Sequence, residues 1–215
     1  MKAHLYRYLG KSYEGLDRLD RAIEASEMAV QYDPKYWRCH RDLARLYEKA
    51  LLYPKAIDSY RLAIRYNAKD ASLYVELGRS LQKMGLYQDA EDSLKKAQTL
   101  GDRSPTLFQE LSIVFEGQGR YEEAAQAMQK TLTNGSFPKD WGRMIYLAAL
   151  AGDKEMANEG LNSLRKLETS PDTVSFYEEL VDLMQRSPRD ILTAHISDPT
   201  LRALVQSVRP PVAKP

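Results

Sequence analysis

An all-α fold built from stacked helical hairpins is what this sequence predicts, and three observations predict it. The first is a ladder of residues 34 apart: Ala22, Ala56, Ala90 and Ala124. Leu9, Leu43, Leu77 and Leu111 keep the same spacing, as do Tyr13, Tyr47, Leu81 and Phe115, and the small residues Gly10, Ala44, Gly78 and Ser112. A period in this range marks a repeat architecture. The second observation is helical patterning within each unit. At 100° per residue, positions 4, 7, 8 and 11 of a repeat fall within an arc of about 100°, one apolar stripe. The third is that Gly and Pro are sparse and fall between the periodic segments.

Taken in order, the first repeat spans 3–36 with Tyr6, Leu9, Gly10, Tyr13, Ala22, Ala29 and Pro34. The second, 37–70, has Leu43, Ala44, Tyr47, Ala56, Tyr60 and Ala63; the third, 71–104, has Tyr74, Leu77, Gly78, Leu81, Ala90, Leu94 and Ala97. The fourth, 105–137, has Phe108, Leu111, Ser112, Phe115, Ala124 and Met128. A fifth, 138–171, starts one residue early and has Trp141, Met144, Ile145, Ala148, Ala157, Leu161 and Leu164. Small residues at positions 8 and 20 let the two helices of a hairpin approach closely. Gly85 and Gly119 fall where the turn between helices needs conformational freedom. Pro34 ends one hairpin and sets the approach to the next.

These residues resemble the tetratricopeptide repeat family, whose pattern is Trp-x2-Leu-Gly-x2-Tyr, Ala-x3-Phe and Pro. The resemblance implies a right-handed α-solenoid of about five helix-turn-helix repeats with a C-terminal helical cap. Some positions depart from the pattern. His40 stands where an aromatic is expected, Ser26 where a large apolar residue is, and Ala68 and Asp102 replace the Pro. Residues 172–208 are read as capping helices: Tyr177, Leu180, Val181 and Met184 repeat the 4-7-8-11 spacing, a turn follows at Ser187–Pro188, and 209–215 form a tail. No cap precedes the first repeat. Either the first helix caps itself, or earlier repeats of a longer protein stack on it; an exposed apolar stripe on that helix would support the second.

Composition bounds the function. Charged residues are 28% and hydrophobic ones 43% of the 215 residues, and net charge is +1. No global charge argues for nucleic acid or an anionic membrane. The longest apolar run, residues 144–151, falls far short of the roughly 20 that span a bilayer. The lone Cys39 permits no intrachain disulfide, which fits a cytoplasmic protein, or a periplasmic one if a signal has been removed. His4, His40 and His195 form no metal-ligand spacing, and neither a phosphate-binding loop nor a nucleophile turn is present. Neither enzymatic activity nor a cofactor is expected.

In the resembled family the first helix of each repeat lines a groove through positions 2, 5, 9 and 12. Here those positions and their neighbours supply Arg7, Lys11, Arg38, Arg41, Arg45, Arg79 and Lys83, then Gln109, and finally Tyr146 at a more apolar end. Repeat two has eight Lys/Arg and four Asp/Glu, a net +4, while repeats one, three and four are −1, 0 and −2. Arginine forks suit carboxylates and phosphates, so the expected partner is a protein or peptide with acidic residues. Asp42 and Glu48 are near enough to pair with these arginines. Some members of the family grip a C-terminal carboxylate with Lys and Asn at positions 5 and 9 and Asn at position 6. Those places hold Arg7, Lys11 and Asp42, so that role is not carried over. Two alternatives stand beside the scaffold reading. One is a helper domain of a larger enzyme or secretion complex. The other is RNA binding, disfavoured because little aromatic interleaving is visible on the basic face. Self-association through the uncapped N-terminal face is also open.

Overall fold

The computed structural model describes residues 1–132, 137–167 and 171–186. Among the described residues every regular element is an α-helix, in two units. The first unit, Met1–Arg103, contains α1 (Lys2–Gly15), α2 (Leu19–Tyr32), α3 (Trp37–Lys49), α4 (Tyr53–Tyr66), α5 (Ala71–Lys83) and α6 (Tyr87–Thr99). The second, from Ser104, contains α7 (Pro105–Gly117), α8 (Tyr121–Gln129), α9 (Pro138–Ala151), α10 (Lys154–Lys166) and α11 (Pro171–Arg186). The turn expected at Ser187–Pro188 and the segments beyond it lie outside the described residues.

Each hairpin closes in the same way. The residue at repeat position 15 takes a left-handed backbone: Asp17 (φ 57°), Leu51 (φ 59°), Gly85 (φ 74°), Gly119 (φ 74°) and Gly152 (φ 77°). The following N–H donates back across the turn, from Arg18 to Tyr13 O at 2.9 Å, Leu52 to Tyr47 O at 2.8 Å and Leu86 to Leu81 O at 3.0 Å. Arg120 to Phe115 O and Asp153 to Ala148 O repeat it at 2.9 Å. This is a Schellman closure, which satisfies carbonyls that the helix end leaves open. Glycine adopts the conformation without strain; Leu51 and Asp17 do so at a cost.

The two helices of a hairpin meet through small residues. Ala22, Ala56, Ala90 and Ala124 are fully buried. A Cβ on Gly10 would sit 2.6 Å from Ser26 Oγ, and one on Gly78 would sit 2.8 Å from Leu94 Cγ. Ser26 therefore fills its place because Gly10 brings the helices close enough for a small side chain to suffice.

The joints between hairpins explain the other departures. His40 is buried, stacks on Tyr66 and donates its Nε2–H to Pro34 O at 2.7 Å. One repeat later Tyr74 donates its hydroxyl to Ala68 O at 3.2 Å. The same two repeat positions are linked in both cases, so an imidazole does what a phenol does. Where Pro is missing, polar caps define the next start. Asp70 accepts from Ser72 N at 3.1 Å, and Ser104 accepts from Leu107 N at 3.3 Å.

In the second unit α9 is almost wholly enclosed. Met144, Ile145, Tyr146, Leu147, Ala148 and Ala149 are all buried. α11 packs on α9 and α10. A Cβ on Gly142 would lie 1.9 Å from the Tyr177 hydroxyl, and one on Gly160 would lie 2.6 Å from Ile145 Cγ1. Glycine at both places is what allows this packing.

Candidate interaction surface

The first unit concentrates the charge. It has nineteen Lys/Arg and fifteen Asp/Glu, a net +4, while the remainder of the chain is −3. The basic side chains of α1, α3 and α5 do not stand independently in water. Asp42 on α3 gathers three of them. Arg7 Nε donates to its Oδ2 at 2.7 Å, Lys11 Nζ lies 3.6 Å from the same oxygen, and Arg41 Nη2 is 3.5 Å from Oδ1. Arg7 and Asp42 are both about nine-tenths buried, so this pair ties α1 to α3. Further along, Arg45 donates from two nitrogens to Glu76 Oε1 on α5, and Lys49 pairs with Glu14. First helices of adjacent repeats are thus linked by ion pairs.

Glu48 behaves differently from expectation. It accepts the Tyr60 hydroxyl at 2.9 Å and the Ser80 hydroxyl at 2.6 Å. Its charge and, above all, burial push the Tyr60 phenol far up, so that phenol stays a donor. Tyr47 is raised to about 12 by burial and by its hydrogen bond to Glu27. Burial raises the Cys39 thiol to about 11, so Cys39 is a core residue and not a nucleophile at neutral pH.

A second motif was not foreseen. The arginines at the α1/α3 end alternate with aromatic rings. Arg7 Cζ lies 5.7 Å from the Tyr8 ring centre and 5.9 Å from Tyr36. Arg38 lies 5.9 Å from Tyr36 and 4.5 Å from Trp37, and Arg41 lies 5.2 Å from Trp37. His4 packs on Tyr36 at 4.8 Å. The basic face is therefore interleaved with aromatics, contrary to expectation. Tyr8 sits at a different helical angle from the groove positions of α1, Tyr36 lies in the joint before α3, and Trp37 is the first residue of α3.

The remaining predicted residues separate by unit. Arg79 and Lys83 are half-buried on α5 in the first unit. Gln109 is exposed on α7, and Tyr146 on α9 is 2% exposed. The structure brings Arg7, Lys11 and Arg41 together around Asp42, with Arg38 beside them on Trp37; Arg45 lies in the separate Glu76 pair. Among the described residues no group of His, Cys, Asp and Glu could hold a metal, and no helix is long and apolar enough to cross a membrane.

A protein of repeated helical hairpins joined through small residues, with ion pairs linking the first helices of its first three repeats, belongs to the class of helical-repeat interaction scaffolds. A profile of the tetratricopeptide repeat matches residues 1–72 and 75–140, and the chain belongs to that family. Solved structures share the fold at low identity. The MamA protein is 20% identical with a TM-score of 0.67, the match covering 83% of this chain and 92% of that one. Pseudomonas aeruginosa PilF is 18% identical with a TM-score of 0.68, covering 96% and 97%. YrrB, described as a TPR protein with an unusual peptide-binding site, is 16% identical with a TM-score of 0.65, covering 81% and 90%. No curated protein matches.

Proposed function

We propose that the first-helix face of α1, α3 and α5 binds an acidic segment of a partner protein. The observation that carries this is the unequal account around Asp42. Arg7, Lys11 and Arg41 share one carboxylate, and Arg38 has ring contacts but no acidic partner among the described residues. Excess positive charge held rigidly on one face attracts and orients an acidic chain. Arg79 and Lys83 extend the face along α5. Binding here is non-catalytic. The test is the affinity and salt dependence of a captured partner for Lys11→Gln with Arg38→Glu, two exposed positions whose replacement adds no carboxylate beside Asp42 and leaves the Arg7–Asp42 and Arg45–Glu76 pairs in place. Affinity should fall about tenfold or more and the salt dependence should flatten. Unchanged values for both would refute the reading.

A second reading rests on α1. Leu5 is 66% and Leu9 38% exposed, whereas the same repeat positions, Cys39 and Leu43 on α3 and Leu73 and Leu77 on α5, are all under 9%. With Tyr8 and Leu16 they form an uncharged exposed stripe. Such a stripe is suited to another helix, and a second copy would supply one. Sedimentation velocity should then detect a dimer that Leu5→Glu with Leu9→Glu dissociates; a monomer at every concentration would dismiss it.

A further inference from the structure

We infer that the cluster at the start of α3 is a phosphoryl-binding subsite, so that the acidic segment proposed above presents a phosphorylated side chain to Arg38, Arg41 and Lys11. This deepens the acidic-partner reading and rests on it. Three features argue for a dianion. Arg7, Lys11, Arg38 and Arg41 gather about the single carboxylate Asp42 and the Trp37 ring, an excess of three positive charges. A ligand carboxylate offsets one of these; a phosphoryl group near neutral pH offsets close to two and supplies three acceptor oxygens.

The second feature is how the guanidiniums are held. Arg38 and Arg41 both lie over Trp37, and Arg38 also reaches Tyr36. Ring contact engages the face of a guanidinium and leaves its in-plane N–H donors at the edge. Two forks fixed by one indole are prepared to donate without losing further side-chain freedom. Arg41 meets Asp42 through Nη2 at 3.5 Å, the long end of a hydrogen bond, so Asp42 does not saturate that fork.

The third feature separates phosphoprotein from single-stranded nucleic acid. Nucleic-acid platforms stack bases on open aromatic faces. Here Trp37 is already covered by two guanidiniums and Tyr36 lies among Arg7, Arg38 and His4. The rings position arginines and are not open to bases.

The test uses the full chain and three short acidic peptides identical except for a central phosphoserine, glutamate or serine. The readouts are fluorescence anisotropy and the Nε–H resonances of Arg38 and Arg41. Inorganic phosphate and a single-stranded oligouridylate serve as competitors. The phosphoserine peptide should bind about tenfold more tightly than the glutamate peptide at about pH 7.5, and the gap should narrow at about pH 5 as the phosphoryl group gains a proton. Arg38→Gln with Arg41→Gln should abolish the preference, and Arg38→Lys should reduce it while keeping the charge; circular dichroism checks that each variant folds. Equal binding of the phosphoserine and glutamate peptides, both lost in the double variant, overturns the phosphoryl subsite and leaves the acidic-partner reading standing. Binding of neither peptide overturns the subsite, and salt-insensitive partner binding would overturn the broader reading separately. Tighter binding of oligouridylate than of the phosphopeptide, or displacement by inorganic phosphate at the peptide's own concentration, also overturns it.

Discussion

The two units use one repeat and join its copies by different means. In the first, adjacent first helices are tied by ion pairs, Arg7–Asp42, Lys49–Glu14 and Arg45–Glu76, with hydroxyl bonds to Glu48 beneath them. In the second, α9 is buried over six consecutive residues and α11 lies against it where Gly142 makes room for Tyr177. Arg143–Glu116 at 2.9 Å is a polar link between α9 and α7. A shared backbone period thus leaves the inter-repeat chemistry open. The unit that uses charge for cohesion is also the one whose exposed cations we propose as the docking surface.

The sharpest way to break this contrast is Asp42→Asn. It strips the shared carboxylate from Arg7, Lys11 and Arg41, and Arg7 is buried. Removing one member of a buried pair costs about 3 kcal/mol. Hydrogen exchange followed by mass spectrometry should find α1–α4 deprotected and α9–α11 unchanged. The counterpart in the second unit is Gly142→Ala. The added methyl meets the buried Tyr177 ring and should cost about 2 kcal/mol through overpacking. Deprotection should be confined to α9–α11.

Alkali should loosen the first unit by a similar amount. The Cys39 thiol is raised from 9.0 to about 11 by burial. A raised acid favours the fold while protonated, so this contribution is complete below pH 9.0 and lost as pH rises to about 11. It amounts to about 2 kcal/mol. Cys39→Ala should flatten the pH dependence of stability in that window, read by denaturant midpoints.

Tyr60→Phe removes one donor from Glu48 and should cost about 1 kcal/mol, visible as faster exchange in α3–α5. Smallest is Leu51→Gly. Leu51 is exposed with a left-handed backbone, and glycine relieves that strain while losing some chain entropy. A net gain of about 0.5 kcal/mol is expected in the thermal midpoint.

Much of the fold was legible because the period of 34 places small residues where backbones must approach, and those places are buried as expected. The turn was legible at Gly85 and Gly119 but not at Leu51 and Asp17, which take the same conformation without the signature residue. His40 read as a departure because sequence does not reveal that its ring reaches Pro34 O. The candidate surface was legible in its cations and not in their partners. Asp42 was foreseen as a neighbour of the arginines, but Glu76 lies 31 residues from Arg45, and its role follows only from the stacking of α5 on α3. Tyr8, Tyr36 and Trp37 were missed because they belong to helix positions or a joint assigned to structure alone. Tyr146 was placed on the groove by periodicity and is buried in the second unit.

Whether the first unit's polar face is the docking surface is decided by quantitative co-precipitation with three forms of the full chain. These are the wild type, Lys11→Gln with Arg38→Glu in the first unit, and Lys154→Gln with Lys166→Glu as a charge-matched control in the second. The partner should be retained by the wild type and the second-unit control and lost from the first-unit variant. Equal retention by all three would place docking elsewhere.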